Sequence, residues 1–254
     1  MDQIGISMKK ILVHSYRGGS GKTLISLNLA KQLENSNKRV LLLETDAFMP
    51  SFESVFNFQT RYSLNDFYDG TIGISESIHK LNEHLSIITC KSKFDPNQSI
   101  FSTNQKVHSN VLRKILPALD KLNQNFDYLI IDSPPGWGYL QINNLIIAES
   151  IVLVIRANQD AFNGTLKLIK AMYENLMNIN QTYYVIWNQI PNMGEMAKYI
   201  ELWEHKLKEY LKFISSFRIY YDPQVAFQIA KGNHIIERKN TFTTIINELL
   251  PFLI

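Results

Sequence analysis

The 254-residue sequence predicts an α/β fold, a mostly parallel sheet flanked by helices on both faces. Three observations carry that expectation. Apolar runs such as Lys10-Ile-Leu-Val13, Arg39-Val-Leu-Leu-Leu-Glu44 and Tyr128-Leu-Ile-Ile-Asp132 are continuous rather than alternating, as in strands buried on both faces. Segments with helical periodicity lie between them, as at Leu24, Leu27, Leu29, Ala30 and Leu33. Strand and helix therefore alternate, which implies right-handed crossovers and a sheet covered from both sides.

In chain order, the first strand is expected at about 9–15 and the first helix after a glycine-rich turn, with the second strand ending at Glu44. Residues 47–82 hold short helical pieces such as Leu64-Asn-Asp-Phe67, and Leu85–Thr89 reads as the third strand. The stretch 91–108, rich in Ser, Asn, Gln and Lys, has no clear period and reads as a long surface loop. A helix over about 109–123 leads into the strand at 126–132. Strands at about 151–156, 182–188 and 213–220 then alternate with helices at 160–178 and 195–212, and a helix over 241–252 closes the chain. With 45% hydrophobic residues and no repeat or long linker, the sequence suits one domain over 9–254, preceded by a loose tail at 1–8.

The turn His14-Ser-Tyr-Arg17-Gly18-Gly19-Ser20-Gly21-Lys22-Thr23 lies between strand and helix, where backbone N–H groups of Gly18 to Lys22 can wrap phosphates. Glycines leave no Cβ in the way. Lys22 would reach the outer phosphates, and the Thr23 hydroxyl is placed for a magnesium ion. The pattern G-x-x-x-x-G-K-[ST] is incomplete, because Tyr16 occupies the first glycine position. A dinucleotide fingerprint fails as well, since Leu24 stands where the third glycine of G-x-G-x-x-G belongs.

Arg17-Gly-Gly-Ser-Gly-Lys-Thr23 resembles the deviant Walker A loop of the ParA/MinD family of P-loop ATPases. In that family the leading basic residue is usually lysine and reaches the partner's nucleotide across a dimer interface. Arginine keeps the charge but brings a planar, longer fork. Tyr128-Leu-Ile-Ile-Asp132-Ser-Pro-Pro-Gly136 is similar to the family's Walker B strand and switch II. The resemblance implies that Asp132 holds magnesium through water and that Gly136 offers an N–H to a γ-phosphate. In Leu43-Glu44-Thr45-Asp46, Asp46 matches the switch I acid that orients the attacking water, and Glu44 replaces the first acid of the pair. Asn188, ending Tyr184-Val-Ile-Trp-Asn, and Pro223 in Tyr221-Asp-Pro-Gln resemble the segments that flank the base. The Pro-Glu pair that many relatives carry after the strand at about 151–156 is absent, its place taken by Arg156-Ala157-Asn158.

The resemblance implies Mg-ATP as cofactor, a homodimer formed on ATP binding, slow hydrolysis, and DNA or a protein adaptor as partner. An ATP-dependent small-molecule ligase of the same fold and a nucleotide-binding adaptor with little hydrolysis remain open. A reductase with a shared iron–sulfur cluster needs two cysteines per chain, and the sequence has one, Cys90, which reads as a small core residue. The net charge of +3 permits nucleic acid without requiring it. Lys198, Lys206, Lys208 and Lys212 are diluted by Glu195, Glu201, Glu204 and Glu209. The last helix, Thr243 to Ile254, has no basic residue, which argues for core packing and against membrane contact. No apolar run approaches the ~20 residues of a membrane span, and the N-terminus lacks a signal pattern, so a cytoplasmic location is expected.

Overall fold

A computed structural model describes residues 7–91, 105–173 and 181–254. Among the described residues eight strands form one sheet: β1 (Lys9–His14), β2 (Val40–Glu44), β3 (His79–Lys80), β4 (Leu85–Ile88), β5 (Tyr128–Asp132), β6 (Ser150–Arg156), β7 (Thr182–Ile190) and β8 (Ser215–Tyr220). Their order is β3-β4-β2-β5-β1-β6-β7-β8, and every pairing is parallel except that of the two-residue edge strand β3. The helices are α1 (Lys22–Asn35), α2 (Phe52–Val55), α3 (Leu64–Asp69), α4 (Gln105–Lys121), α5 (Tyr139–Ile147), α6 (Gln159–Leu168), α7 (Met196–Lys208), α8 (Pro223–Ala230) and α9 (Thr241–Leu253).

Strand periodicity divides the core in two. Ile11, Val13, Val40, Leu42, Ile130, Val152 and Ile186 face one layer, with Ile25, Leu29 and Leu33 of α1 and Ile246, Leu249 and Leu253 of α9. Leu12, Leu41, Leu43, Ile131, Leu153 and Val185 face the other, with Ile115 of α4, Leu145 of α5, Phe162 of α6 and Trp203 of α7. Continuous apolar strands were needed because both faces are covered. Cys90 is buried in the second layer, and so is Met8, which brings the packed chain into the segment read as a tail; residues 1–6 lie outside the described residues.

Several boundaries differ from expectation. α4 begins at Gln105 and takes in the end of the presumed 91–108 loop, whose 92–104 lie outside the described residues. α6 passes into a π-helical turn at Ile169–Tyr173, and the rest of the helix expected to 178 is not described. α7 stops at Lys208 rather than 212. The sequence reading had no α5. Its nine residues start from Gly138 without a side-chain cap, so no local start signal marks it.

β1 lies between β5 and β6, so the chain departs to opposite sides of it. The carboxyl end of β1 is thus the switch point where open α/β sheets bind ligands. Among the described residues no helix is long and apolar enough to cross a membrane.

Candidate functional site

The loop from Ser15 to Gly21 leaves β1 at this switch point and enters α1. Gly21, at the helix start, has φ +95°, and a Cβ there would stand 2.3 Å from the Asn188 amide nitrogen. Only glycine fits. Asn188 Nδ2 donates to the Ser20 carbonyl at 2.7 Å and Gln189 Nε2 to that of Gly19 at 3.2 Å, so the end of β7 clamps the loop. Gln189 carries φ +56° at an irregularity in the β7–β8 pairing. No sequence signal marked it.

Beneath the loop, Thr23 Oγ1 donates to Asp132 Oδ2 at 2.7 Å and Ser26 Oγ to Oδ1 at 3.0 Å. Ser26 was missed, although a serine one turn after Thr23 on an otherwise apolar face was a readable signal. Burial pushes the Asp132 carboxyl up to about 6 against these bonds and the Lys22 charge. Burial also pulls the Lys22 ammonium below its ordinary range, opposed by Asp132 and then Asp46. Sequence-distant Lys22, Thr23, Asp46 and Asp132 are thereby brought into one electrostatic unit.

The residues present fit a phosphate group with magnesium. Ser20 Oγ is buried without a partner, and among the described residues no ion pair engages Lys22. Among those residues no cluster of three or more His, Cys, Asp or Glu could hold a metal unaided. A hydroxyl and one carboxylate suit an ion that keeps several waters and phosphate oxygens.

Other expected residues sit differently. The Gly136 N–H, expected for a γ-phosphate, is donated to the Ser15 carbonyl at 2.9 Å, because the Pro-Pro-Gly turn folds back on the loop. Asp46 Oδ1 accepts from the N–H groups of Phe48 and Met49 at 3.2 and 3.0 Å, so it caps its own turn beside the cradle. The Asn188 amide, expected at the base, is engaged at both ends, since Oδ1 accepts from Gln189 N at 2.9 Å. Asn188 still lines a cavity of about 130 Å³ with Leu24, Tyr221, Asp222 and Val225. Pro223 is not in that lining; it occupies the first turn of α8, capped by Asp222 Oδ1 on Gln224 N at 2.8 Å. Arg17 points outward, 55% exposed, 3.8 Å from Asp160 of α6.

Tyr16 explains how the loop does without its first glycine. A Cβ on Gly164 of α6 would lie 2.0 Å from Tyr16 Cε1 and 2.1 Å from Cδ1, so the ring rests on a helix surface bared for it. Gly164→Ala should displace the ring and the loop behind it, destabilising by ~1–3 kcal/mol as overpacking does and weakening the hold on a phosphate ligand. Tyr16→Ala in that background should recover stability, read by thermal melts of both single variants and the double. A Gly164→Ala protein with parental stability and affinity would show that the loop does not depend on this seat.

The family model described as an AAA domain, AAA_31, matches residues 8–186. The chain belongs to that family. Its curated relatives place it with the ParA/MinD proteins, and the structural neighbours share its fold. It is 28% identical to the septum site-determining protein MinD of Thermotoga maritima over 73% of this chain and 67% of that protein. Its fold matches the ATP complex of a Cyanothece McdA variant with TM-score 0.78, at 18% identity, over 98% of this chain and 97% of the other. Cobyrinic acid a,c-diamide synthase of Mycobacterium smegmatis, with a bound ATP analogue and magnesium, superposes with TM-score 0.76 at 15% identity over 96% and 93%. The chain spans only 66% and 61% of the length of the first two curated relatives it matches.

Proposed function

We propose that this protein binds Mg-ATP, pairs with a second copy across the nucleotide, and hydrolyses ATP slowly to position DNA or another cargo. The observation that carries the reading is the Thr23–Asp132–Ser26 interlock beside a desolvated lysine under a glycine cradle. N–H groups of Gly18, Gly19, Ser20, Gly21, Lys22 and Thr23 would hold the phosphates, with the Lys22 ammonium on their outer oxygens. Magnesium, when bound, neutralises charge developing on those oxygens. Thr23 would hold it directly and Asp132 through water. Asp46 would orient the attacking water; Gly136 would reach the γ-phosphate only by releasing Ser15. Asn188 and the Pro223 turn would border the base.

Arg17 is the residue free to act across an interface, because its exposed pair with Asp160 is worth ~0–1 kcal/mol. Light scattering in the hydrolysis-impaired Asp46→Ala background should show ATP converting monomer to dimer. Adding Arg17→Ala should leave ATP bound but the chain monomeric, and Arg17→Lys should retain part of the effect. A chain that stays monomeric with ATP rejects the sandwich.

Cobyrinic acid a,c-diamide synthase has the same fold, so the ligase alternative has a structural counterpart. ATP turnover that requires a metabolite would favour it. An adaptor would bind ATP and barely hydrolyse it.

A further inference from the structure

The loop carrying Asp46 leaves β2 at Glu44 and returns at Ser51, and both ends meet on the Glu44 side chain. Glu44 Oε1 accepts from Ser51 N at 2.5 Å, Ser51 Oγ at 3.2 Å and Phe52 N at 3.1 Å. Its Oε2 accepts from Cys90 N at 3.2 Å, two residues past the end of β4. One carboxylate, 1% exposed, thus ties together the end of β2, the start of α2 and the chain just past β4. Inside the closed loop Asp46 is itself tied to Phe48 and Met49, so its direction follows the path that the closure imposes.

Burial pushes the Glu44 carboxyl up to about 7, opposed by the N–H groups of Ser51, Cys90 and Phe52. An apolar side chain in its place would leave those three donors unpaired. Ser51, Phe52 and Cys90 thus engage both Glu44 oxygens.

We propose that Glu44 is the positioning residue of the hydrolytic loop, acting through Ser51, Phe52 and Cys90 to aim Asp46 at the outer-phosphate end of the cradle. This rests on the proposed role of Asp46 in hydrolysis. Both Glu44 oxygens are taken up by protein donors, so its part in hydrolysis is indirect. An amide cannot replace it: a glutamine oxygen turned to Ser51 and Phe52 leaves its NH₂ facing the Cys90 N–H, donor against donor.

The test compares Glu44→Gln, Glu44→Ala and Asp46→Ala by ATP affinity, kcat, and amide exchange of residues 45–52. Glu44→Gln should bind ATP within about twofold of the parent but turn over about 10- to 100-fold more slowly, the scale of a small misplacement. Exchange at 45–52 should quicken. Should Glu44→Ala fail to fold, Ser51→Ala removes one bond at the loop's return and should give the same split at smaller amplitude. Parental kcat in Glu44→Gln with unchanged exchange overturns the proposal. If Asp46→Ala turns over at the parental rate, the role of Asp46 is what fails, and exchange at 45–52 alone then decides whether Glu44 holds the loop.

Discussion

Lys22→Ala should abolish measurable ATP turnover and raise the Kd for Mg-ATP by about a hundredfold or more. Each hydrogen bond to a charged group contributes ~1.5–3 kcal/mol, Lys22 would make such bonds to two phosphates, and every 1.4 kcal/mol is about tenfold in affinity. The structure leaves nothing to take over the task. Lys22 is the one ammonium buried under the loop among the described residues, and Arg17 faces away at 55% exposure. The rise in Tm produced by ATP should vanish with it, since a ligand at 100 times its Kd contributes ~2.7 kcal/mol. Calorimetric titration and a thermal melt with Mg-ATP read both effects. Unchanged affinity and turnover would remove the cradle from the nucleotide site.

Asp132→Asn should lower turnover at least about a hundredfold, because a metal supplies several kcal/mol of charge stabilisation, and should also stabilise the nucleotide-free chain at alkaline pH. The second effect follows from linkage. Asp132 titrates near 6 rather than 3.8 because burial penalises its charge. A carboxyl raised in the folded state favours folding while protonated, so its contribution is complete below about pH 4 and is lost as pH rises through 6. At pH 8 the parent therefore carries a buried charge that asparagine does not, an advantage of up to ~3 kcal/mol at ~1.4 kcal/mol per pKa unit. The Tm difference between variant and parent should be positive at pH 8 and close toward pH 4. A difference independent of pH would place its cause elsewhere than in the charge.

The cradle was legible because its chemistry is local. Gly18 to Thr23 must be consecutive to surround one phosphate chain, and Asp132 stands at the end of a strand whose five apolar and acidic residues announce it. The clamp on the cradle was not legible. Gln189 reaches Gly19 across 170 positions of sequence, and Asn188 reaches Ser20 across 168, with no motif at the later end beyond an asparagine after a strand. Gly164 is equally silent: a lone glycine in a helix reads as a weak position until Tyr16 is seen lying on it.

By itself the sequence determined the layered α/β fold and the residues of the phosphate loop, since strand burial on two faces and glycine-rich phosphate binding both write contiguous patterns. Tertiary structure decided how the rest is used. Glu44 reads as the leading acid of a pair with Asp46, yet in the fold its oxygens are taken up by Ser51, Phe52 and Cys90. Gly136 reads as a free donor, yet folding gives its N–H to Ser15. The physical reason is common to both: a buried polar group must find a partner, and which partner lies within reach is set by the packing of strands β2, β4 and β5 and the loop after β1, not by neighbours in sequence.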